Sequence, residues 1–127
     1  MRALRTFTLL IALASAGTAH AEEKKEPLSA QHAEQLLAFF NELVDTTGKH
    51  AANCETLATE VGGVVDRHIN TIQMMWAARK KKQTVPKDVQ EKLDKRAFEM
   101  VESLRRCWED DRVKAVFQRM KEPKPKQ

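Results

Sequence analysis

Apolar residues recur at three- and four-residue spacings through most of the chain, a period that predicts α-helices. Ser29 caps a first helix running to about Asp45 or Thr47, with Leu36, Leu37, Phe39, Phe40, Leu43 and Val44 along it. Gly48 suits a left-handed turn at its end. A second helix starts between Lys49 and Asn53 and runs to about Lys82. Its seam is the clearest pattern in the chain: Cys54, Val61, His68 and Met75 repeat every seven residues, with Leu57, Val65 and Ile72 between them. Thr84 and Pro86 mark a turn and the start of a third helix, since a proline in the first turn forfeits no hydrogen bond. That helix carries Val89, Leu93, Ala97, Met100, Leu104 and Cys107 on one stripe. Asp110 or Asp111 caps a fourth, shorter helix with Val113, Val116, Phe117 and Met120 turned inward. Residues 61–65 are the only rival for a strand, and they lie inside the helical seam. The expected fold is all-α, a small up-down bundle of three or four helices.

Gly62 and Gly63 interrupt the second helix at a propensity cost of about 1 kcal/mol each. They mark a kink, or a place where another helix packs close. The sharper alternative is a hinge or a ligand lying against the backbone.

The ends of the chain follow other patterns. Arg2 and Arg5 precede an apolar run over residues 7–16, and Ala19-His20-Ala21 closes it with small residues. This is the plan of a secretory signal cut after Ala21, and the run is too short to span a bilayer. The expected product is residues 22–127, one small helical domain with flexible ends at about 22–28 and 122–127. Its expected location is the periplasm of a bacterium or the medium outside, with no transmembrane segment left in the mature chain. Two of the 22 Lys and Arg leave with the signal, while all 18 Asp and Glu stay, so the net charge falls to +2. A balance that small makes no general case for nucleic-acid or membrane binding.

Two cysteines, Cys54 and Cys107, both follow the signal, and in an oxidising compartment such a pair is most simply a disulfide. An antiparallel hairpin of the second and third helices returns them to the same end. The fit is imperfect, because residues 54–82 make about 42 Å of helix and residues 86–107 about 32 Å. The glycine pair, or a loop over residues 79–85, has to absorb the difference. Closing this loop contributes about 4 kcal/mol in the chain-entropy picture.

Chemistry-bearing constellations are thin. His50 and Cys54 share the four-residue spacing of metal pairs, and His68, Met74 or Met75 can extend a soft site. His68 and Met75, however, sit on the apolar seam, and an oxidised Cys54 is no thiolate ligand. There is no C-x-x-C or C-x-x-C-H motif, and the fourth helix offers no inward histidine for haem. Nucleophile elbow, zincin motif and phosphate loop are likewise missing from the sequence. The expectation is no cofactor, no metal and no catalysis.

One charge feature stands out. Arg79, Lys80, Lys81 and Lys82, joined by Lys87 across the turn, form a basic tip opposite the cysteine end with its Glu109, Asp110 and Asp111. This tip is the candidate interaction surface, with Trp76 one turn away as an apolar contact. The segment Leu28-Ser29-Ala30-Gln31-His32 is the nearest approach to the L-T-x-x-Q repeats of envelope-stress chaperones, but serine replaces threonine and glutamine comes one position early. No second copy appears, so chaperone activity is only an analogy of compartment. The expected function is that of a non-enzymatic interaction or accessory module of the bacterial envelope. Its partner would be an unidentified protein or an anionic envelope component, and not nucleic acid. The alternatives are a carrier of a small ligand or soft metal, and a chaperone-like binder.

Overall fold

The structure, a computed structural model, describes residues 26–123. The expected signal segment, its cleavage point and residues 124–127 lie outside this range. Five helices make up the described chain: α1 (Ala30–Lys49), α2 (Cys54–Arg67), α3 (Ile69–Lys80), α4 (Lys87–Leu104) and α5 (Asp111–Gln118). The protein is all-α, a helical bundle with a disulfide between Cys54 and Cys107.

Local chemistry starts most of these helices. Ser29 Oγ accepts from the His32 N–H at 3.1 Å and Asn53 Oδ1 from the Thr56 N–H at 3.0 Å, the N-cap bonds that satisfy otherwise orphaned donors. Asp110, not Asp111, caps α5, accepting from the N–H groups of Arg112 and Val113. Pro86 precedes α4, and its carbonyl accepts the Gln90 N–H.

The structure corrects several expectations. Gly48 does not turn the chain: it stays helical, and α1 ends two residues later at His50 (φ −113°, ψ 16°). The long second helix is two helices, because the chain breaks at His68 (φ −115°, ψ 22°) and restarts at Ile69. Gly62 and Gly63 are not the kink; both lie within α2.

A further correction concerns how the disulfide is reached. Ala33 and Leu36 near the start of α1 share a core with Val89 and Leu93 near the start of α4. Further along, Arg96 bonds to Asn41 and Asp45, and Gly48 stands beside Ser103. The helices α1 and α4 are therefore parallel neighbours. The pair α2–α3 returns antiparallel to α1, with His68 beside Glu42 and Phe39, and α5 runs parallel to α2, with Arg112 at Glu55 and Arg119 at Asp66. The spatial order is α4, α1, α2–α3, α5, and α4 makes no comparable backbone approach to α2 or α3. No hairpin of α2–α3 against α4 exists. Cys107 meets Cys54 (Cα–Cα 5.2 Å) because α4 stops at Leu104 and the following turn carries the sulfur across.

Two apolar cores result. The larger joins Phe39, Leu43, Leu57, Val61, Val65, Ile72, Met100, Leu104, Val113 and Phe117 from all five helices, and the smaller joins Leu28, Ala33, Leu36, Ala78, Val89 and Leu93. Buried apolar surface of this kind is the main driving force for folding. Thr47 is fully buried, and its hydroxyl donates to the Val44 carbonyl at 2.8 Å. Leu28 is buried too, and residues 26–28 are not loose: the Leu28 N–H donates to the Thr84 carbonyl (2.8 Å) and the Thr84 N–H to the Glu26 carbonyl (3.0 Å).

Candidate functional site

Arg79 and Lys80 occupy the last turn of α3, Lys81 caps it, and Lys87 opens α4. Between them the chain turns on Lys82, whose φ of 55° is the only left-handed backbone among the described residues. The Lys82 N–H donates to the Arg79 carbonyl (3.1 Å) and the Gln83 N–H to the Ala78 carbonyl (2.9 Å). Those two bonds form a Schellman motif, which normally puts glycine where Lys82 stands. All five cations are exposed.

Most ion pairs lie along the bundle's sides, although Lys49, Lys92, Lys95 and Arg106 form none among the described residues. Along the sides, Arg67 pairs with Glu42, Arg96 with Asp45 and Glu99, Arg105 with Glu102, Arg112 with Glu55 and Asp110, and Arg119 with Asp66. At the tip only Lys80 is tied, by Glu122 at 3.4 Å. Among the described residues Arg79, Lys81, Lys82 and Lys87 form no ion pair. The acids Glu26 and Asp88 stand at the same end.

The opposite end is not a mirror image in charge. Glu109 pairs with Lys114, and Asp110 is consumed as the α5 cap. The Arg112 side chain, helped by the backbone N–H groups of Val113 and Arg112, lowers the Asp110 carboxyl to about 2. Two of the three acids of this cluster are thus paired with cations at the start of α5.

The other sequence candidates have structural occupations. Cys54 is oxidised, and His50 is the residue that ends α1. His68 bonds to Glu42 at 2.6 Å and lies 5.4 Å from the Phe39 ring. Met75 packs against both cores and Met74 against the smaller one. Trp76 supplies no apolar contact at the tip: it packs on the larger core, and its indole N–H donates to the Met120 carbonyl at 3.1 Å. Among the described residues no group of three or more His, Cys, Asp or Glu is arranged to hold a metal, and no helix is long and apolar enough to cross a membrane.

Several features carry no signal in the sequence. Glu42 had no visible partner, and neither did Glu122. The pairing of Thr84 with residues 26–28 is a long-range contact without a local signal. Phe98 is 72% exposed on the outer face of α4, a lone aromatic among charges. Isolated surface apolar residues of that kind are ordinary. No family model matches the chain, and no curated protein or solved structure does so either.

Proposed function

We propose that this protein is a non-enzymatic, exported interaction module of the bacterial envelope, and that the basic end of the bundle is its contact surface for an anionic partner. The supporting observation is a concentration of charge: Arg79, Lys81, Lys82 and Lys87 stand exposed around one turn, and among the described residues none of them forms an ion pair. Unpaired cations grouped on one end create a local field that the small net charge conceals, and such fields steer anionic partners. Export is supported by the Cys54–Cys107 disulfide, since such bonds persist in oxidising compartments.

A photo-crosslinking amino acid placed at Lys81, and separately at Lys95 on α4, tests the assignment in cells that export the protein. The expected result is an adduct specific to position 81. Equal adducts from both positions, or none from position 81, would reject the tip as the contact surface.

A further inference from the structure

We propose that Cys54 is the protein's thiol–disulfide exchange site: an external disulfide attaches to this sulfur first, and Cys107 resolves the intermediate into the Cys54–Cys107 bond. The assignment concerns the other end of the bundle from the basic turn and does not depend on the reading of that turn.

The two sulfurs occupy unlike places. Cys54 is the first residue of α2 and half-buried, and Ala52, Asn53 and Glu55 around it are exposed. It packs against the larger core from outside. Cys107 belongs to that core and is fully buried. Its turn is pinned on both sides: the Cys107 N–H donates to the Leu104 carbonyl (3.1 Å), and the Asp110 N–H to the Cys107 carbonyl (3.0 Å). An outside sulfur therefore reaches Cys54 with the fold intact. Reaching Cys107 requires the turn and the core to open.

Local electrostatics favour the same order. Exchange proceeds by attack of a sulfur anion on a disulfide. Cys54 stands at the start of a helix, where the positive end of the dipole stabilises such an anion. The acid beside it, Glu55, is paired with Arg112 at 3.4 Å. At Cys107 the Ala51 carbonyl oxygen lies 3.5 Å from Sγ. That oxygen accepts the proton of a thiol but repels a sulfur anion, and apolar surroundings disfavour the anion further.

The order of bond changes follows. The Cys54 thiolate attacks one sulfur of the external disulfide RSSR, forming Cys54–S–S–R and releasing RS⁻. Cys107 gives its proton to the released RS⁻, and its sulfur attacks Cys54 Sγ and expels the second RS⁻, which takes up the proton that Cys54 had lost. The two cysteines are oxidised and RSSR is reduced to two thiols. Opening the bond runs the same steps backwards. An outside thiolate attacks Cys54 and has to expel the Cys107 sulfur as an anion into the apolar core beside the Ala51 oxygen. While the protein is folded, the bond therefore forms faster than a comparable outside thiol opens it.

The test compares Cys107→Ala with Cys54→Ala, each purified from cells that export it, reduced, freed of reductant and treated with glutathione disulfide. Mass spectrometry follows the addition of one glutathione. In the folded proteins Cys54 should react at least about tenfold faster than Cys107, and in urea the two rates should lie within about threefold of each other. Circular dichroism checks the folding of both variants. If either fails to fold, the oxidised parent carries the test through brief treatment with reduced glutathione, acid quenching and peptide mapping. Glutathione should then be found on Cys54 at least about tenfold more often than on Cys107. Equal rates in the folded variants, faster reaction at Cys107, or a difference that persists in urea would overturn the assignment. So would a parent in which glutathione is absent from Cys54 or shared equally between the two sulfurs.

Discussion

His68 Nε2 lies 2.6 Å from Glu42 Oε2 at the one residue that separates α2 from α3. The other oxygen of the same carboxylate takes Arg67, so α1 holds both sides of the helix break through one side chain. The bond to His68, then that to Arg67, holds the Glu42 carboxyl below the usual carboxylate range, against a smaller desolvation effect.

The sign of the pH dependence follows. A carboxyl with a lowered folded-state pKa stabilises the protein above the ordinary value of 4.5, and that contribution fades as pH falls through the lower folded value. Glu42→Gln should therefore lower stability near pH 7 by up to about 1 kcal/mol, a size limited by solvent screening at a side chain 36% exposed. The difference from the parent should shrink steadily below the ordinary carboxyl value. Urea unfolding followed by circular dichroism across this range measures it. A gap that stayed constant with pH would mean that the variant's loss does not come from the missing carboxylate charge.

The disulfide joins residues 53 apart in sequence, and its removal should matter more than any single ion pair. Closing a loop of that length contributes about 4 kcal/mol in the chain-entropy picture. Cys54→Ala with Cys107→Ala should cost about 3–4 kcal/mol and lower the melting temperature by more than about 10 °C. Alanine at both positions avoids leaving a polar thiol or hydroxyl at Cys107, which is fully buried. The oxidised parent should titrate no thiol before reduction. An unchanged melt in the double variant would deny the bond a stabilising role.

Periodicity made the helical seam legible because burial and spacing agree: Leu57, Val61, Val65 and Ile72 are all buried where the seam places them. The break at His68 carries no local mark, since neither proline nor glycine stands there. The contacts that hold it come from Phe39 and Glu42, a helix away. The disulfide was legible from cysteine count and compartment, but the route to it was not. Which helix lies beside which depends on packing between α1 and α4, not on the order of elements along the chain. The same holds for the candidate site. The run Arg79-Lys80-Lys81-Lys82 was plain in the sequence, whereas the arrival there of Glu122 and of residues 26–28 depends on contacts made only after folding.

Lys82 sits in a conformation that an L-residue with a side chain adopts at a cost of about 1–2 kcal/mol. Glycine avoids this but is more mobile when unfolded, which returns part of the gain. Lys82→Gly should thus stabilise the bundle by about 0.5–1 kcal/mol, and Lys82→Val should destabilise it by more than about 1 kcal/mol, since β-branching fits a positive φ worst. The two variants remove the same charge, so a shared direction of change in the denaturation midpoint would point to electrostatics, not backbone strain.

Gly62 makes the opposite case. It sits inside a regular helix, where glycine is about 1 kcal/mol worse than alanine. A Cβ built there would meet Arg119 Nη1 at 3.7 Å, an ordinary contact with the flexible end of a side chain already held by Asp66. Gly62→Ala should therefore raise stability by about 0.5–1 kcal/mol with an unchanged urea m-value. At Gly63 the new Cβ would stand 3.2 Å from Arg67 Nη1, so the guanidinium bound to Glu42 has to shift. The gain from Gly63→Ala should accordingly be the smaller of the two. A destabilised Gly62→Ala would restore the hinge reading of the glycine pair, because only a bend in α2 that the helix must make would then account for the loss.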